Sequence, residues 1–114
     1  MVKLTLKTLP PALNRTYKVS GGRFYKDSEA EATQEAIAWE AKSQYRGKPL
    51  KGQICLTVTF YYPNMRKDAS AGIKSLEDAL QGVCYVNDRQ IEQLHVYKCV
   101  SKQNPRVEIL CEEL

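Results

Sequence analysis

Ile54-Cys55-Leu56-Thr57-Val58-Thr59-Phe60-Tyr61-Tyr62 is the stretch on which the fold turns. Ile54, Leu56, Val58, Phe60 and Tyr62 alternate with Cys55, Thr57, Thr59 and Tyr61, and nearly every residue is β-branched or aromatic. Such residues suit a pleated, packed surface. Both faces are fairly apolar, so the stretch is expected as a central strand, ended by Pro63-Asn64. Downstream, Ile73, Leu76, Ala79 and Leu80 recur at helical spacing, which predicts a helix over roughly 70–81 with Gly82 as its stop. Residues 93–101 and 106–111 read as two further strands, split by Asn104-Pro105 and expected as an antiparallel hairpin.

Upstream, Lys48-Pro49-Leu50-Lys51-Gly52 is a connecting loop. Before it, Ser28 and Glu31 form a capping-box signature for a helix running to about Tyr45, with Ala30, Thr33, Ile37, Ala41 and Tyr45 as its apolar stripe. Residues 15–19 and 23–26 flank Ser20-Gly21-Gly22, a turn signal for a small hairpin or an irregular loop. Val2, Leu4 and Leu6 alternate with Lys3, Thr5 and Lys7 as a half-buried first strand, and Pro10-Pro11 follows. The order predicts a small α+β domain spanning 1–114, a mixed β-sheet with two helices packed on one face.

A chain of 114 residues, 43% hydrophobic and 26% charged, supports one core. Its apolar runs fall far short of the ~20 residues of a membrane-spanning helix. The alternating N-terminus is unlike a signal peptide, so a soluble, cytoplasmic protein is expected. The net charge is only +4, but its placement is uneven. Residues 1–26 hold Lys3, Lys7, Arg15, Lys18, Arg23 and Lys26 without an acid, and residues 42–67 hold Lys42, Arg46, Lys48, Lys51, Arg66 and Lys67, again without one. Two acid-free basic blocks suit a polyanion, although solvated surface cations give the same composition. Cys55, Cys84, Cys99 and Cys111 lack metal-knuckle spacing and read as buried reduced thiols.

The stretch with chemistry in it is Arg66-Lys67-Asp68-Ala69-Ser70-Ala71-Gly72-Ile73-Lys74, followed by Glu77-Asp78 and Asn87-Asp88. Asp68 precedes the second helix and Asp88 follows it, so a short fold-back through 83–86 would bring the two carboxylates together. Two carboxylates beside a lysine suit a hard cation such as Mg²⁺. A helix-N-terminal carboxylate and a turn aspartate explain the same residues without any metal. Lys74 and Asp78 are also an ordinary i, i+4 surface pair. His95 reads as structural, and Trp39, within the first helix, as core or partner-facing.

Three blocks carry a resemblance to the RusA family of Holliday junction resolvases, found largely in bacteria, prophages and phages. Leu9-Pro10-Pro11-Ala12-Leu13-Asn14-Arg15-Thr16-Tyr17 resembles the family's N-terminal pattern of prolines, asparagine and tyrosine. The segment 66–74 with Glu77-Asp78-Ala79-Leu80 resembles its basic, Asp-x-Asp-Asn-x-x-Lys and Asp-Ala-Leu run. Gln81-Gly82-Val83-Cys84-Tyr85-Val86-Asn87-Asp88-Arg89-Gln90-Ile91 resembles its glycine, aromatic, Asp-Asp-x-Gln-Ile run.

The resemblance implies a homodimeric, Mg²⁺-dependent endodeoxyribonuclease that resolves four-way DNA junctions by paired nicks. It makes Asp68 and Asp88 metal-binding catalytic carboxylates, Lys74 the active-site lysine, and Arg15, Arg23, Arg66 and Lys67 the DNA contacts. Ser70, Ala71 and Asn87 depart from the family's Asp, Asn and Asp. Ser70 would offer a metal only a neutral oxygen, and Asp78 is a compensating carboxylate if it faces the site. The alternative readings are a branched-DNA-binding protein with weak or no nuclease activity, and an unrelated α+β domain acting through protein contacts.

Overall fold

The computed structural model describes residues 1–10, 17–20, 23–26 and 28–114, with backbone alone for 17–20 and 23–26. The elements are β1 (Val2–Leu6), β2 (Tyr17–Ser20), β3 (Arg23–Lys26), α1 (Ser28–Gln44), β4 (Ile54–Tyr62), α2 (Ile73–Leu80), a 3₁₀ turn (Asp88–Gln90), β5 (Ile91–Val100) and β6 (Arg106–Glu113). Four strands form one sheet in the order β1-β6-β4-β5, and β2 and β3 form a separate antiparallel pair with Ser20 opposite Arg23. The α+β reading, a mixed sheet with two helices, is what the chain adopts.

The central strand spans the expected residues, and Ile54, Leu56, Val58, Phe60 and Tyr62 are all buried on one face. Ile37 and Ala41 of α1, Leu76, Ala79 and Leu80 of α2, and Val107, Ile109 and Cys111 of β6 complete the core with Val2, Leu4 and Leu6. The free edge of β1 is closed by α1. Gln44 accepts from the Thr5 amide at 2.8 Å and donates to the Thr5 carbonyl at 2.6 Å, while Glu40 accepts from Lys7 at 2.8 Å. A helix covering an edge removes a template for unwanted pairing.

The expected terminal hairpin does not form. β5 runs parallel to β4 and β6 runs antiparallel to it, so β4 lies between two strands that are neighbours in sequence. Both edges of the apolar β4 are thereby paired, and the 101–105 connection passes the strand end, where the Ser101 amide donates to the Tyr62 carbonyl at 2.8 Å. Along α1 the buried stripe is Ala30, Gln34, Ile37 and Ala41, with Gln34 in the place expected for Thr33. Gln34 tolerates burial because its amide donates to the Ser75 carbonyl at 3.1 Å. Ser28 is the first helical residue, so the cap position, 27, lies outside the described residues. Cys99 is exposed on the edge strand β5, contrary to the expected burial, whereas Cys84 and Cys111 are buried.

Helix α2 is shorter than expected because residues 69–72 form turns before it. Gly72 is buried against Pro10: a Cβ there would lie 2.7 Å from Pro10 Cγ. At the other end Gly82 has φ +87, a backbone that side-chain-bearing residues rarely adopt. The chain reverses there, with the Gly82 amide donating to the Tyr85 carbonyl at 2.7 Å.

Candidate active site

The reversal at Gly82 returns the chain along α2 and sets Asp88 beside the helix's first turn. Lys74 Nζ lies 3.0 Å from Asp88 Oδ2 and 3.3 Å from Asp78 Oδ1. The i, i+4 pair read from the sequence is therefore one half of a three-residue cluster. The Asp88 hydrogen bond is the main cause raising the Lys74 pKa, with partial desolvation opposing it and Asp78 adding to the rise. Glu77, on the same turn, has its carboxyl raised chiefly by burial, with Lys74 opposing and Asp88 and Asp78 reinforcing the shift. The cluster thus concentrates negative charge around one ammonium.

Asp88 is held by a compact hydrogen-bonded turn. Its amide donates to Gln81 Oε1 at 3.2 Å. Asn87 Oδ1 accepts from the Arg89 amide at 2.9 Å, and Gln90 Oε1 accepts from the Val86 and Asn87 amides, both at 2.8 Å. Gln90 Nε2 then donates to the Leu50 and Gly52 carbonyls at 2.8 and 2.9 Å. One glutamine side chain locks the turn to itself and to the loop before β4. Beneath it Tyr85 is fully buried and donates its hydroxyl to the Glu77 carbonyl at 2.7 Å.

Asp68 lies in the exposed segment before α2, its carbonyl accepting from the Ala71 amide at 3.1 Å. Ser70 is exposed, and its carbonyl accepts from Ile73 at 3.3 Å. Arg66 and Lys67 are exposed in the same segment, with Lys67 Nζ 5.6 Å from the Tyr62 ring centroid. Arg15 lies outside the described residues, as does the side chain of Arg23. Two residues that sequence reasoning missed belong to this region. Gln90 holds the Asp88 turn through its side-chain amide, and Lys98, on β5, donates to the Lys67 carbonyl at 3.0 Å. His95 and Trp39 are exposed, Trp39 at 74%.

Whether these residues suit a divalent cation follows from the donor set. Among the described residues no three His, Cys, Asp or Glu side chains gather closely enough to form a complete cage. Mg²⁺ asks for less, one or two carboxylates with water completing the shell. Asp88 and Asp78 already direct hard oxygens at one cationic group, Lys74 Nζ, so the donor chemistry fits. A lysine in the same position can also meet the charge that develops on a phosphate.

The chain matches the family described as Endodeoxyribonuclease RusA over residues 8–112. It is 30% identical over 104 residues to the crossover junction endodeoxyribonuclease RusA of Aquifex aeolicus (strain VF5), covering 89% of this chain and 82% of that relative.

Proposed function

This chain belongs to the RusA endodeoxyribonuclease family, which hydrolyses phosphodiester bonds, and we propose that it resolves four-way DNA junctions by paired, Mg²⁺-dependent nicks. The observation that carries this reading is the convergence of Asp78 and Asp88 on Lys74 within the segment that resembles the family's acidic motifs. Asp88 and Asp68 would hold the metal with water completing its shell, Asp78 staying on Lys74, and the metal's chemistry is to activate water and neutralise phosphate charge. Lys74 orients the attacked phosphate by charge. Arg66 and Lys67, with Arg15 and Arg23, bind the DNA backbone, where cations set position and supply salt-dependent affinity.

Two symmetry-related strands must be cut, so a two-fold homodimer is the economical assembly. The exposed Trp39 is a candidate anchor for its interface. Among the described residues no helix is long and apolar enough to cross a membrane, and the proposed site of action is the cytoplasm of a bacterial or phage-infected cell.

A second reading has its own observation. Ser70 stands where the family's second aspartate is expected, which removes a charge from the metal site. On that reading the protein binds branched DNA and cuts it weakly or not at all. Incubation with a synthetic four-way junction, with and without Mg²⁺, decides between them. Metal-dependent paired nicks support the resolvase, a gel shift without cleavage supports the binding protein, and the absence of both binding and cleavage overturns both readings.

A further inference from the structure

We propose that Lys98 is a positioning residue for the DNA-cutting reaction: from the sheet it fixes the segment that presents Arg66, Lys67 and Asp68. The inference rests on the reading of Asp68 as a catalytic carboxylate. The segment between β4 and α2 has no regular structure, and its residues 63–68 are exposed. Its other described hydrogen bonds are local: the Arg66 amide to Asn64 Oδ1 at 2.9 Å, the Ala71 amide to the Asp68 carbonyl at 3.1 Å, and the Ile73 and Leu76 amides of α2 to the Ser70 and Gly72 carbonyls. Local bonds shape a loop without fixing where it sits.

Lys98 does the second task. It is opposite Phe60 in the parallel register, which puts it on the helix-facing side of the sheet. Its neighbours on that side of β5 are Val96, partly buried, and Leu94 and Val100, both exposed, so core packing does not account for where its ammonium goes. Lys98 is half-buried, and its ammonium reaches the Lys67 carbonyl at 3.0 Å, one residue before Asp68. Lys67 in turn lies over the Tyr62 ring, and Tyr62 stacks on Phe60 with centroids 5.5 Å apart. Phe60, Tyr62, Lys67 and Lys98 thus form one patch that seats the loop on the ends of β4 and β5. The competing explanation for an inward lysine on an edge strand is protection against edge-to-edge association. That role needs no bond to the loop and predicts no effect on cleavage.

The experiment compares wild type, Lys98→Met and Lys98→Arg in single-turnover cleavage of a synthetic four-way junction, junction Kd, and limited trypsinolysis after Arg66 and Lys67. Lys98→Met keeps the stem and removes the donor. Misplacing a reacting group by about an ångström costs on the order of 100-fold, so a drop in cleavage of about 10- to 100-fold is expected. Junction Kd should stay within about threefold. Tryptic cutting of the freed segment should accelerate, and Lys98→Arg should restore both readouts. Unchanged cleavage and proteolysis in Lys98→Met would overturn the proposal. Cleavage and binding lost in equal proportion would overturn it too, since that marks a direct phosphate contact. If wild type binds junctions but does not cut them, the resolvase reading fails, and trypsinolysis alone then decides whether Lys98 holds the loop.

Discussion

Lys74 and Asp88 are joined at 3.0 Å across the reversal that ends α2, so the helix and the turn beyond it share one charged contact. Lys74 is half exposed and Asp88 about one-quarter exposed, which limits the contact to roughly 0.5–1 kcal/mol of stability. Its weight is in chemistry. Asp88→Asn should abolish Mg²⁺-dependent junction cleavage while leaving junction binding intact or stronger, because a negative charge facing phosphate is removed. Cleavage at the wild-type rate in Asp88→Asn would remove this residue from the catalytic set.

Ser70 offers a complementary gain-of-function test. Ser70→Asp adds a charged oxygen where a neutral one stands, and hard cations favour anionic oxygen. The Mg²⁺ concentration for half-maximal cleavage should fall severalfold, read from a metal titration at fixed junction concentration. A curve that does not move would separate position 70 from the metal site.

Gln90 is the structural keystone of the Asp88 turn. Its side chain accepts from two amides and donates to two carbonyls. With a net value of about 1 kcal/mol per hydrogen bond and some bonds replaced by water, Gln90→Ala should cost about 2–3 kcal/mol. Chemical denaturation would report it, and cleavage at 25 °C should fall more steeply than folding because Asp88 loses its mount.

Gly72→Ala probes the close approach at the start of α2. The backbone φ of −107 is open to alanine, so the penalty is purely steric, a Cβ 2.7 Å from Pro10 Cγ. Overpacking of this kind costs roughly 1–3 kcal/mol, visible as a lowered Tm. An unshifted Tm would mean that Pro10 yields freely.

The cysteines should separate by reactivity. Burial pushes the Cys84 thiol up from 9.0 to about 12, with Cys111 adding to the rise. Burial likewise raises Cys111 to about 11, with the N-terminal amine opposing. A disulfide reagent at pH 8 should therefore label the exposed Cys99 first and reach Cys84 and Cys111 only on unfolding. Both thiols have folded values above their unfolded ones, so their contribution is whole below about pH 9 and is lost as pH climbs toward the folded values. Rapid labelling of Cys84 in the native protein would contradict its burial.

Legibility in the sequence tracked the range of the interaction. β4 was readable to its ends because alternation is local, and so was the Lys74–Asp78 half of the cluster, set by helix periodicity. The pairing of β5 and β6 with β4 was not, since adjacency in sequence favours a hairpin while burial of both edges of β4 decides the outcome. Asp88 reaches Lys74 only through the positive φ at Gly82 and the bonds of Gln90, neither of which has a periodic signature. Lys98 was invisible for the same reason, its partner being a main-chain carbonyl 31 residues away.

The position of β6 has a consequence for biosynthesis. This last strand sits between β1 and β4, so the sheet cannot close until residues 106–113 have left the ribosome. Until then β1 lacks its strand partner and β4 has β5 on one edge alone, its other edge open. The four-stranded sheet therefore assembles only once β6 is available, and until then it presents two open strand edges of the kind that invite association.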